Sequence, residues 1–157
     1  FPDFKLQLVG GGSPDYVLSL ARQHDLLEKT EILGVINGAE NVFSFLDDLE
    51  LYVHPSKQEG LPRSIIEAMS RGCPVLASSI AGTPELLSSI YMHEPGDHQT
   101  FATQLVEILN DPEERTRMSK TNFKKAKEYE FPILRERRKA FLKDFAAYAE
   151  RELRKKI

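Results

Sequence analysis

The chain has 157 residues, the size of one ordinary globular domain. Hydrophobic residues make up 41% and charged residues 29%, which excludes wholesale disorder, and a net charge of −3 exerts no general pull on nucleic acid. A single cysteine excludes an internal disulfide framework and a multi-cysteine zinc site and fits a reducing cytoplasm, while no apolar run approaches the ~20 residues of a membrane span.

Turn residues and periodicity predict a strand over 5–9, turned by Gly10-Gly11-Gly12 into a helix that Ser13-Pro14 opens and that runs to about residue 29. A strand over 31–36, a helix over 39–46 and a strand over 49–54 follow, the last ended by Pro55-Ser56. The loop at 57–60 leads to a helix over 62–71, closed by Gly72-Cys73-Pro74, and then to a strand over 75–77. Gly82-Thr83-Pro84 opens a short helix to Leu87, and 90–92 reads as a fifth strand. Helices over 99–109 and 112–129 precede a last one that starts at Pro132. Short strands alternating with helices predict βαβ units. The expected fold is therefore Rossmann-like: a three-layer α/β/α sandwich with a parallel sheet over 1–131, followed by a basic helix at 132–157.

In such sheets ligands bind beyond the carboxyl ends of the strands, here the loops at 10–13, 35–41, 55–61, 78–83 and 93–98. The run Glu59-Gly60-Leu61-Pro62-Arg63-Ser64-Ile65-Ile66-Glu67 stands out among them. Gly60 permits close approach of a ligand, and Pro62 suits a helix's first turn. Unpaired amides near Gly60, Leu61 and Arg63 make a site for phosphate or sugar oxygens. Glu67 is placed to accept hydrogen bonds from the diol of a ribose. The alternative is that Glu59 is a solvated loop acid and Glu67 half of an ordinary i,i+4 pair with Arg63.

Other candidates carry less. Gly10 and Gly12 lie in a turn that lacks the third glycine of the dinucleotide fingerprint. His54 ends a strand and reads as packed or hydrogen-bonded. His93 and His98 flank Glu94 and Asp97 without zinc-like spacing. Cys73 reads as a small packed residue, and Glu85 as support for the short helix, with a ligand contact as its alternative. No Gly-x-Ser-x-Gly elbow supplies a hydrolase nucleophile.

Five ordered blocks sharpen this reading: His54-Pro55-Ser56 through Glu59-Gly60-Leu61-Pro62, Ile66-Glu67-Ala68-Met69, Gly72-Cys73-Pro74-Val75, Ala81-Gly82-Thr83-Pro84-Glu85 and Pro95-Gly96-Asp97. With Leu8-Val9-Gly10-Gly11-Gly12 and Ile32-Leu33-Gly34-Val35 before them, the chain from residue 5 to about 130 resembles the carboxyl-terminal, donor-binding domain of a GT-B-fold glycosyltransferase of family 4 (group 1). The resemblance implies a nucleotide-diphosphate-sugar donor, a UDP-sugar foremost and a GDP-sugar second. It also implies transfer with retention to a saccharide or lipid-linked acceptor in polysaccharide or glycoconjugate synthesis, with no cofactor and no obligatory metal. Glu59 is assigned to the transferring sugar and the reaction centre, and Glu67 to the ribose. The amides of Gly60 and Leu61 would meet sugar and diphosphate, with Arg63, Gly10 and Gly12 nearby, and Gly34, Val35 and Ile36 would border the base.

Two departures accompany it. The family's diphosphate-neutralising Arg and Lys precede the stretch matching 6–12 and have no counterpart here. The chain, opening at Phe1, is thus expected to be a fragment that lacks this unit and the amino-terminal acceptor domain, and is inactive alone. Class-different alternatives are a catalytically silent binding module, or a related epimerase or phosphorylase. The charge is also uneven: residues 1–134 carry 12 basic and 20 acidic side chains, and residues 135–157 carry 9 and 4. The expected terminal helix packs on the domain through Leu134, Phe141, Phe145 and Tyr148, its basic side solvated. The sharper alternative is peripheral contact with an anionic membrane at the cytoplasmic face.

Overall fold

The computed structural model describes residues 4–154 and divides into two compact units, residues 1–45 and 46–157. Each set of strands hydrogen-bonds within its own unit. Lys155 and Lys156, and the side chains of Leu153 and Arg154, lie outside the described residues.

In the first unit, β1 (Leu6–Val9) pairs in parallel with β2 (Thr30–Gly34). Between them lies α1 (Asp15–Gln23), six residues shorter than the sequence pattern extends it. His24 caps it and Asp25 takes a left-handed φ of 55°, which Asp tolerates better than most residues. A 3-10 turn at Leu27–Lys29 replaces the expected last helical turn. Helix α2 (Ala39–Asp47) follows β2.

The second unit is built on a parallel sheet in the order β3 (Tyr52–His54), β4 (Val75–Ser78), β5 (Met92–His93). Strand β3 is shorter than expected. Its pairing begins where Tyr52 N donates to Pro74 O at 2.9 Å, and Pro74 has no N–H to extend the ladder backward. Strand β5 sits two residues later than the pattern places it, after a 3-10 turn at Ser89–Tyr91. The Gln104 amide donates to the carbonyls of Ile90 (3.0 Å) and Met92 (2.9 Å), fixing this stretch to α5 (His98–Asn110).

Helix α3 (Arg63–Ser70) buries Ile65, Ala68 and Met69 completely. Gly72, at φ +72°, ends it in the left-handed turn that favours glycine. Helix α6 (Pro112–Ala126) packs against α3, and Asn122 Nδ2 donates to the buried Cys73 carbonyl at 2.9 Å. Leu76, Ile108 and Met118 form the core, with Leu51, Val53, Tyr91, Phe101 and Leu105 against them. Burial pushes the Cys73 thiol up to about 11, so it is a packed thiol, as expected. Helix α4 (Thr83–Leu86) follows β4.

Helix α7 (Phe131–Arg154) overturns one expectation. It does not pack on the domain: every residue from 131 to 148 is exposed, including Phe141 at 67% and Phe145 at 58%. Its pattern is only weakly one-sided, with Arg135, Arg137, Arg138 and Lys139 in succession around it, so no apolar stripe is wide enough to demand a partner surface. Among the described residues no helix is long and apolar enough to cross a membrane.

Urea denaturation separates these two situations. Ile65→Ala should cost about 2–5 kcal/mol, the range for emptying a filled core site. Phe141→Ala should stay within about 0.5 kcal/mol of the wild type.

Candidate functional site

The loop from residue 55 to 62 joins the carboxyl end of β3 to α3 and carries the candidate run. Because Ile65, Ala68 and Met69 are buried on one side of α3, Arg63 and Glu67 share the opposite side. Their ion pair is slack, at 4.0 Å, with the Arg63 side chain 90% exposed. No side chain caps the start of α3, so its first-turn amides keep no side-chain acceptor. Leu61 is exposed, and a Cβ added at Gly60 would meet nothing within 4 Å, so space for a ligand stands over this turn.

Glu59 is not a free loop acid. His54 Nε2 lies 2.9 Å from Glu59 Oε1, and His54 Nδ1 lies 3.3 Å from the Tyr52 hydroxyl. The bond from His54 holds the Glu59 carboxyl below the usual carboxylate range, with the Ser56 hydroxyl adding to it. Burial pushes the Tyr52 phenol up and keeps it protonated, the Ser64 hydroxyl acting in the opposite direction. The charges of Glu67 and Glu59 both add to the upward shift.

The same loop is locked from its far side. Gly82 N donates to Gly60 O at 3.0 Å. A Cβ at Gly82 would come within 2.8 Å of Leu61 Cδ1 and 3.0 Å of Gly60 O, so a side chain there would push on the loop. Gly82, Tyr52 and Ser64 escaped the sequence reading as site residues. The available signal was Tyr52-x-His54, which puts both rings on one face of a strand that ends beside Glu59.

In the first unit, Gly10 N donates to Gly34 O at 2.8 Å, and the Gly10-Gly11-Gly12 turn lies against Val35. Gly34 has φ +67°, Val35 is 62% exposed and Ile36 is half-buried. These residues of the first unit form a glycine-rich edge of their own.

His93 is buried, with its ring 4.9 Å from that of Phe101 and Nδ1 3.0 Å from the Glu94 carbonyl. Among the described residues no cluster of three or more His, Cys, Asp or Glu is arranged to hold a metal ion.

The family described as "Glycosyl transferases group 1" matches residues 1–125. The chain belongs to that family. Among similar proteins, the O-antigen biosynthesis glycosyltransferase WbnH of Escherichia coli is 30% identical over 112 residues, covering 71% of this chain and 31% of that protein. The C-terminal domain of a glycosyl transferase group 1 family protein (LpcC) from Francisella tularensis superposes with a TM-score of 0.74 at 23% identity, covering 83% of this chain and 72% of that one. Anabaena HepE in complex with UDP-glucose superposes with a TM-score of 0.70 at 25% identity, covering 82% of this chain and 37% of that one. The chain spans about a quarter to a third of the length of the first curated relatives it matches (27%, 34% and 29%). These likenesses bear out the Rossmann-like fold of a GT-B glycosyltransferase domain.

Two measurements check this group 1 domain's geometry. In a carbon-detected titration Glu59 should ionise below the ordinary glutamate value of about 4.3. Because its folded value is lowered, the stability it lends is present above the ordinary value and is lost as pH falls through the folded one. Gly82→Ala should move the amide resonances of Gly60 and Leu61, whereas Gly60→Ala should leave Gly82 nearly in place.

Proposed function

We propose that this chain is the donor-binding half of a retaining glycosyltransferase that takes a nucleotide-diphosphate sugar, a UDP-sugar before a GDP-sugar. One observation carries the reading. A carboxylate held by a histidine, Glu59, and a second carboxylate, Glu67, flank the uncapped start of α3 at a strand's carboxyl end. Family membership and the UDP-glucose bound by the Anabaena protein support it further.

In this reading the first-turn amides of α3 and the loosely paired Arg63 receive diphosphate oxygens. Glu67 accepts from the ribose hydroxyls. Glu59, ionised and fixed, meets the transferring sugar where positive charge develops at the reacting carbon. Gly10, Gly12 and the Gly34–Val35–Ile36 stretch are the proposed contacts of the first unit, the latter toward the base. No metal is required, and chelation should leave nucleotide binding unchanged. Transfer itself is proposed for a longer enzyme that also supplies an acceptor site, with a saccharide or lipid-linked acceptor.

The test is an NMR titration of this chain with UDP, GDP and ADP. UDP should shift Gly60 and Glu67 most, and shifts at Ile36 would extend the footprint to the first unit. The absence of any shift at millimolar nucleotide would favour a silent binding module and sink the proposal. In the longer enzyme Glu67→Ala should mainly raise the donor KM, and Glu59→Ala should mainly lower kcat, by about 100-fold or more. Equal effects on both constants in both variants would contradict the division of roles.

A further inference from the structure

The side chains that hold Glu59 have no part in the donor chemistry proposed above, yet they form a continuous chain. Tyr52 and His54 face the same way on β3, and Glu59 follows in the loop. The links are Tyr52 Oη to His54 Nδ1 at 3.3 Å and His54 Nε2 to Glu59 Oε1 at 2.9 Å. With a neutral His54 ring the protons run in one direction only. An ionised carboxylate accepts and never donates, so Nε2 must carry the ring proton. In the neutral ring Nδ1 is then an acceptor, and Tyr52 must give it the only proton the phenol has. From Tyr52 to Glu59 each donor then meets an acceptor.

The geometry points to His54 as the positioning residue of Glu59: in its Nε2–H form, set by Tyr52, it aims the carboxylate at the hydroxyls of the donor sugar. This rests on the nucleotide-sugar reading of the site. With one oxygen bonded to His54, the carboxylate keeps most of its roughly four acceptor positions for a ligand.

A comparison of UDP with UDP-glucose tests this on the chain itself. His54→Ala should weaken UDP-glucose by about tenfold, the size of one charge-assisted hydrogen bond, and leave UDP binding unchanged. Tyr52→Phe keeps the ring and its packing, so it serves where His54→Ala fails to fold; it should weaken UDP-glucose alone, by a few-fold. Nitrogen shifts of the His54 ring near neutral pH should report a protonated Nε2 and an accepting Nδ1. The opposite tautomer overturns the inference. Equal loss of UDP and UDP-glucose, or no loss of either, also overturns it, because a residue that only supports the fold would behave in that way. If the wild-type chain binds neither ligand, the donor reading falls and takes this one with it. Wild-type binding that the variants leave untouched removes this one alone.

Discussion

The second unit depends on how α3 is buried. Ile65, Ala68 and Met69 have no exposed surface at all, so the helix cannot rotate without opening the core. That constraint sets where every polar residue of the helix goes. Arg63 and Glu67 are left on the open side. Gly72 then turns the chain sharply enough for Pro74 to meet Tyr52 across the start of the sheet. From the opposite side α6 closes the arrangement through Asn122 and Cys73.

The loop between β3 and α3 would be mobile if left to itself, since its glycine and its exposed leucine bury little. It is pinned twice instead, by different kinds of force. His54 holds its acidic residue by a charge-assisted bond, and Gly82 holds its middle by a backbone bond and a close contact. A loop pinned at both its charged and its neutral part presents amides and a carboxylate in one fixed geometry. Preorganisation of that kind is what electrostatic catalysis needs, because dipoles already in place cost nothing to reorient during reaction.

Much of this was legible in the residues. The alternation of short apolar runs with amphipathic segments placed the five strands and seven helices of the described residues, because burial acts on each locally. Glu59, Gly60 and Glu67 were legible because they fall between a strand closed by Pro55 and the second turn of a helix that opens after Pro62. Ends were less legible. Helix α1 stops at a left-handed Asp25, and β5 starts late because a glutamine twelve residues on takes the Met92 carbonyl. Nothing local announces either. The grip on Glu59 was half visible: His54 read as packed or hydrogen-bonded, but its partner depends on how the loop folds back over five residues. The requirement at Gly82 was hidden altogether, since it arises from a loop some twenty residues earlier.

Helix α7 shows the reverse case, a pattern that reads as a packed helix and is not one. Its aromatics recur at helical spacing, which ordinarily signals a buried stripe, yet Phe131, Phe141, Phe145 and Tyr148 all remain more than half exposed (72%, 67%, 58% and 52%). What sustains it is local: Lys139 to Glu136 at 3.0 Å, Arg137 to Glu128 at 3.9 Å, and the stacked rings of Phe141 and Phe145. Such pairs contribute a few tenths of a kcal/mol each, and it takes a helix this long to overcome the cost of nucleation. The core therefore makes no demand on the sequence of α7, whereas it dictates nearly every position of α3. Aromatic and basic residues without a packing reason are a surface property, and the uneven charge of the chain follows the same division: net negative charge on the packed part, and net positive charge on a helix that the core does not hold.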